Sequence, residues 1–139
     1  MSWTMPIEFS KVREFARAVK SKSPEHRSPD GVIPPTFLVS GRLNWEPGRE
    51  SAGAGLDFDL RRVLHGEEEY VFYGELPRVG DVLTGESRVG DRWEKPGKRG
   101  GTMRFARLIT EFRDAAGNVV ATQNSTIVET ARPPKREGE

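Results

Sequence analysis

Apolar residues recur at Val12, Phe15, Ala16 and Val19, the i, i+3, i+4, i+7 spacing of one helical stripe, so the pattern predicts an amphipathic helix over residues 10–20. Ser10 stands as its N-cap and Ser23-Pro24 as its stop, with Lys20 and Lys22 where cations complement the C-terminal end of the dipole. Pro24, Pro29, Pro34 and Pro35, with Asp30-Gly31 among them, predict an ordered loop of turns. Residues 36–43 then offer a short, largely buried helix opened by the proline pair. Past a polar, Gly-rich connection at 46–55 the period changes, and residues 67–74, 81–93, 102–113 and 118–129 read as strands bounded by turn residues. Runs joined by such short turns pair antiparallel. In the third run Met103, Phe105 and Ile109 share one face and Ala106, Leu108 and Phe112 the other, so both faces of that strand are expected to be covered.

Helices followed by long antiparallel strands is the order of an α+β domain with helix packed on one sheet face. At 139 residues one core is expected, with residues 1–130 as a single domain and 131–139, rich in proline and mixed charge, as a disordered tail. The net charge of +1 supplies no field for nucleic acid or an anionic membrane. With no cysteine, disulfides, thiolate nucleophiles and Cys-bound zinc are excluded, and the two histidines form no metal cluster. Neither a signal-peptide pattern nor a membrane-length apolar run is present, which makes a cytoplasmic protein the default expectation.

Five blocks carry a family resemblance. Residues 7–19 match a first helix, Gly31-Val32-Ile33-Pro34-Pro35-Thr36-Phe37 the entry to a central helix, and Val63-Leu64-His65-Gly66-Glu67-Glu68-Glu69-Tyr70 a strand block. Val79-Gly80-Asp81-Val82-Leu83 and Gly101-Thr102-Met103-Arg104-Phe105 follow in order. Together they resemble the MaoC-like acyl dehydratases, in particular the N-terminal, fatty-acid-synthase-type dehydratase group. The resemblance implies a hot dog fold, a curved antiparallel sheet wrapped around a central helix. It further implies binding of acyl-CoA or acyl-carrier-protein thioesters at a dimer interface, with addition or removal of water across the 2,3 bond and no further cofactor.

Catalytic members carry a loop G-D-x-N-P-x-H, whose Asp and His hold one water between them. Reversible hydration needs one group to take a proton from water and another to deliver one to C2, each contributing about 10²- to 10⁴-fold. Backbone N–H groups near a helix start polarise the thioester carbonyl. In this chain the loop reads Lys20-Ser21-Lys22-Ser23-Pro24-Glu25-His26: Pro24 and His26 match, Ser21 stands in the Asp position and Ser23 in the Asn position. A serine hydroxyl unaided is no base near neutral pH, so half of the acid/base pair is missing. Only residues 27–30 separate this loop from the central-helix block, shorter than most members, so His26 is also readable as a surface histidine.

Thr36, Phe37 and Ser40 are where a hot dog acyl chain would pass, and Trp45, Trp93, Phe72 and Tyr73 are further aromatics that line a groove or fill a core. His65 is a candidate groove contact or a structural residue; Glu25, Asp30 and Glu67 are the carboxylates placed to approach a histidine. Lys98 and Arg99, in a glycine-rich tip, suit CoA phosphates or an acidic carrier protein, or are simply solvated; as a lone arginine-glycine element without interleaved aromatics they are weak for RNA.

These readings favour an acyl-thioester-binding subunit of a 3-hydroxyacyl-thioester dehydratase, partnered in a heterodimer by a catalytic MaoC-like chain. A non-catalytic acyl-CoA-binding homodimer is the alternative. A hot dog thioesterase ranks last, because residues 36–44 contain no Asp or Glu.

Overall fold

The computed structural model describes residues 1–48 and 52–131; most of the proposed tail lies outside the described residues. Its sheet has five antiparallel strands, β1 (Ser2–Pro6), β2 (Val63–Phe72), β3 (Val82–Pro96), β4 (Thr102–Arg113) and β5 (Val119–Glu129), in the order β1-β3-β4-β5-β2. Two helices, α1 (Phe9–Ala18) and α2 (Val39–Asn44), precede the long strands, with single helical turns at Pro24–Arg27, Ala52–Gly55 and Leu60–Arg62. The α+β architecture is as expected, and β4 matches its predicted bounds.

Three features of the N-terminal half differ. The N-terminal residues form β1, a strand too short to announce itself by pattern, whose Trp3 and Met5 point inward opposite Gly85 and Leu83. Helix α1 opens one residue earlier than predicted, so Ser10 lies inside it and Glu8 is the N-cap, without a side-chain capping bond. The central helix is six residues long, because residues 35–38 form turns.

Register places Trp3, Met5, Leu83, Phe112 and Ala121 on one face, where they pack with Val12, Ile33, Phe37 and Leu38 from the helical half. Burying such a side chain contributes roughly 1.5–3 kcal/mol. Helix α2 meets this face at Gly41, where a Cβ would stand 2.9 Å from both the Met5 sulfur and the Trp3 ring. A smaller cluster of Leu56, Ala106 and Leu108, joined by Phe58, Val89 and Ile127, covers the other end. Between the two lies a polar band: the hydroxyls of Ser87 and Thr110 meet at 2.9 Å, and Gln123 and Ser125 lie buried beside them.

The second cluster is fastened by Glu129, only 3% exposed. Its carboxylate accepts Arg104 Nε at 2.7 Å, Arg104 Nη2 at 3.0 Å and the Asp59 backbone N–H at 2.5 Å. These bonds, Arg104's first, hold its carboxyl below the usual range. A carboxyl depressed in the folded state contributes stability above its unfolded pKa and loses it as pH falls through the folded one. Glu129→Gln is therefore expected to cost about 2–3 kcal/mol at pH 7 in denaturant unfolding. The deficit should narrow as pH drops below the ordinary carboxylate range.

Candidate functional site

Helix α1 presents Val12 and Ala16 to the core, and Phe15 meets the Phe37 ring edge-on at 5.5 Å. The helix ends in paired backbone bonds, Lys20 N–H to Arg17 C=O at 3.1 Å and Ser21 N–H to Ala16 C=O at 2.8 Å, with Lys20 left-handed at φ 57°. Among the described residues Lys20 is the one non-glycine in that region, at a cost of roughly 1–2 kcal/mol. Lys20 aligns with the glycine of the loop that the sequence resembles, and its left-handed backbone is one that glycine adopts without a Cβ penalty.

This ending aims Ser21 at the turn Pro24–Arg27. Ser21 Oγ lies 2.6 Å from His26 Nδ1 and accepts the Ser23 N–H at 3.3 Å, while Arg27 donates to the Ser21 carbonyl at 2.7 Å. The two loop positions singled out in the sequence are thus in direct contact. When the hydroxyl donates to Nδ1, the neutral ring carries its proton on Nε2. Among the described residues no carboxylate bonds to His26. Asp30 instead accepts Ser28 Oγ at 2.7 Å, a bond that holds its carboxyl below the usual range, and Glu67 sits on β2 beside Thr126 at 3.5 Å.

The loop is tied to the sheet as well. Val79 N–H donates to the Gly31 carbonyl and Ile33 N–H to that of Pro77, both at 3.0 Å, and Arg78 Nη1 reaches the Asp30 carbonyl at 3.3 Å. Gly31 passes directly against the Glu25 carbonyl, leaving no room for a Cβ.

An apolar groove of about 270 Å³ opens between α1 and α2, lined by Met5, Phe15, Ala18, Phe37, Ser40 and Trp45 among others, with Glu8, Lys11 and Glu14 also on its walls. Its size suits one short acyl chain or another small apolar group. Phe37 is buried there, and Ser40 Oγ donates to the Phe37 carbonyl at 2.8 Å, so its hydroxyl proton is already used. Thr36 is exposed and does not line the groove. Neither Ser21 nor His26 lines it, although Ala18 stands three residues ahead of Ser21.

The other predicted residues are dispersed. His65 is exposed on β2 opposite Ile127, just before a bulge at Gly66. Lys98 and Arg99 are exposed at the β3–β4 tip, at the far end of β3 from the Arg78–Asp81 turn that borders the loop. Trp93 stacks on Phe105 at 5.2 Å, Phe72 packs on the main core and Tyr73 is half exposed; none of the three lines the groove.

A cluster the sequence did not announce surrounds Glu68. Its carboxylate accepts Ser125 Oγ at 2.5 Å, Tyr70 OH at 2.8 Å and the Gln123 amide. Burial, and then the Glu68 carboxylate, push the Tyr70 phenol well above its usual range. Alternation along β5 marks positions 121, 123 and 125 as one face, but Gln and Ser there read as solvent-facing.

A family model described as "FAS1-like, dehydratase domain region" matches residues 1–123. A protein of Saccharopolyspora erythraea, named only "UPF0336 protein", is 32% identical over 139 aligned residues, covering 93% of this chain and 84% of that one. Among solved structures, a MaoC-like dehydratase superposes with a TM-score of 0.76 at 21% identity over 94% of this chain and 40% of that one. The truncated HadBC (3R-hydroxyacyl-ACP dehydratase) complex of Mycobacterium tuberculosis gives 0.65 at 18% identity, covering 91% and 94%. The five-stranded sheet with its short central helix is therefore the hot dog fold of the MaoC-like dehydratases, and the chain belongs to the FAS1-like dehydratase-domain family.

Proposed function

We propose that this chain is the acyl-thioester-binding subunit of a 3-hydroxyacyl-CoA or 3-hydroxyacyl-ACP dehydratase, working beside a second MaoC-like chain that holds the Asp and His. The observation that carries this reading is the Ser21–His26 contact of 2.6 Å with no carboxylate on the ring among the described residues. Hydration of a 2-enoyl thioester places water's oxygen on C3, moves one water proton to a base and delivers a proton to C2. His26 is able to offer or receive one proton, but its partner hydroxyl cannot serve as the second group near neutral pH. The apolar groove between the helices supports a binding role, with Phe37 and Ser40 among its walls. The HadBC structure, described as a complex, supports a two-chain arrangement. No described helix is long and apolar enough to cross a membrane, and the reaction is placed in the cytoplasm as part of the same proposal.

The test is thermal unfolding of the isolated chain with acyl-CoA and, separately, with acyl-carrier protein. Ligand at a hundredfold excess over its dissociation constant adds about 2.7 kcal/mol to stability. A rise in melting temperature without hydration of 2-enoyl-CoA is expected. Absence of any shift with both ligands would remove the binding role, and a shift without turnover beside any MaoC-like partner would favour the non-catalytic homodimer.

A further inference from the structure

We infer that Ser21 and His26 form a nucleophile–base pair that takes an acyl group from a thioester and passes it to water, an activity distinct from hydration. This borrows one element of the reading above, the acyl-thioester substrate class, and needs no partner chain.

Hydration is out of reach for the pair because it calls for two proton-transferring groups. Acyl transfer calls for a nucleophile and one base used repeatedly, and a serine hydroxyl bonded to an imidazole supplies both. Ser21 Oγ and His26 Nδ1 stand 2.6 Å apart, within reach for direct proton transfer. The absence of Asp and Glu from residues 36–44 counts against a thioesterase that works through a carboxylate there, but has no bearing on this route.

The hydroxyl is held in place. Its oxygen accepts the Ser23 N–H at 3.3 Å, which leaves its proton for Nδ1 and a lone pair for attack. The backbone is pinned on both sides, by the Ser21 N–H on the Ala16 carbonyl at 2.8 Å and by Arg27 Nη2 on the Ser21 carbonyl at 2.7 Å. The turn that holds His26 is tied in as well, with the Gly31 N–H on the Ser28 carbonyl at 3.1 Å. Both side chains are half-buried, so they are fixed yet still reached from solvent. A nucleophile and base pre-positioned in this way need little reorganisation before attack.

Charge favours the same chemistry. Residues 17–27 carry Arg17, Lys20, Lys22 and Arg27 against the single carboxylate of Glu25. All four cations are exposed, and among the described residues none is in an ion pair. Positive charge left unneutralised here attracts an anionic acyl donor and favours the oxyanion that builds on the carbonyl under attack.

In the first step Ser21 Oγ bonds to the thioester carbonyl carbon as His26 Nδ1 takes the hydroxyl proton. The C–S bond breaks, and the imidazolium returns that proton to the departing sulfur, leaving an acyl-serine and a free thiol. In the second step His26 takes a proton from water, whose oxygen bonds to the ester carbon. The same proton goes back to Ser21 Oγ as its C–O bond breaks, and the carboxylic acid is released. Water is the one co-reactant.

The experiment gives the folded natural chain phenyl thiobutyrate, an activated thioester without the CoA portion, and follows thiophenol release together with peptide mass spectrometry of the acid-quenched chain. Thiophenol release with a butyryl group on Ser21 is expected. Ser21→Ala should abolish the adduct, and His26→Ala should slow it about 10²-fold or more. Ser21→Cys places one thiol in a chain that has none; it should acylate faster than the natural serine and still slow on loss of His26, which tests the base even if Ser21→Ala unfolds. Absence of an adduct at position 21, butyrylation confined to Lys20 and Lys22, or rates indifferent to His26→Ala would overturn the inference and leave the Ser21–His26 bond as a tie that closes the turn. The probe carries neither CoA nor carrier protein, so its failure is separable from failure of acyl-thioester binding, which the melting temperature reports.

Discussion

Ser21→Asp in the isolated chain is expected to raise hydration of 2-enoyl-CoA about 10²-fold or more above the background of the natural sequence. The loop already has the other requirements. Lys20 makes a left-handed turn, Pro24 opens the helical turn, and His26 stands within hydrogen-bond reach of position 21. A carboxylate there supplies the missing base. With a base and an acid both in place, the gain should appear as a pH–rate profile with two limbs. Adding Ser23→Asn, the second departure from the family loop, is expected to strengthen the effect. Normal acyl binding without any gain would show that the lost carboxylate is not what silences the chain.

Gly31→Ala is expected to dismantle the same loop. The Cβ would fall inside the Glu25 carbonyl oxygen and 3.2 Å from the Ser28 Cβ, and neither neighbour is the free end of a flexible side chain. Relief requires moving the Pro24–Arg27 turn or breaking the Gly31–Val79 bond to the sheet, a strain of about 1–3 kcal/mol. Either movement separates His26 from Ser21. Denaturant unfolding should register the stability loss, and the His26 ring resonances should shift toward those of an unpaired histidine. Unchanged stability and unchanged ring resonances would contradict the packing described for this turn.

The resemblance to the dehydratase loop singled out Ser21 and His26, five residues apart, with a surface histidine as the other reading of His26; the structure sets the two side chains 2.6 Å apart. The β3–β5 strands were legible from alternation and turn residues, although β3 extends three residues further than expected, to Pro96. What stayed hidden depends on distant partners. β1 has two inward residues and a terminal proline, too little pattern until Gly85 supplies the space for Trp3. β2 begins four residues earlier than predicted, at Val63, because the Gly66 bulge breaks its period. The Glu68 and Glu129 clusters assemble residues more than fifty positions apart, and their members read locally as solvated. Of the three residues expected along an acyl path, Phe37 and Ser40 line the groove between the helices and Thr36 is exposed.

Co-expression with a MaoC-like chain that carries the intact Asp and His loop tests the division of labour most directly, with enoyl-CoA hydration measured for the complex before and after His26→Ala. If the partner performs both proton transfers, the complex is active, the isolated chain is not, and His26→Ala leaves the complex's kcat within about twofold. Turnover by the isolated chain that disappears on His26→Ala would place the chemistry here after all, on a Ser21–His26 pair with no carboxylate.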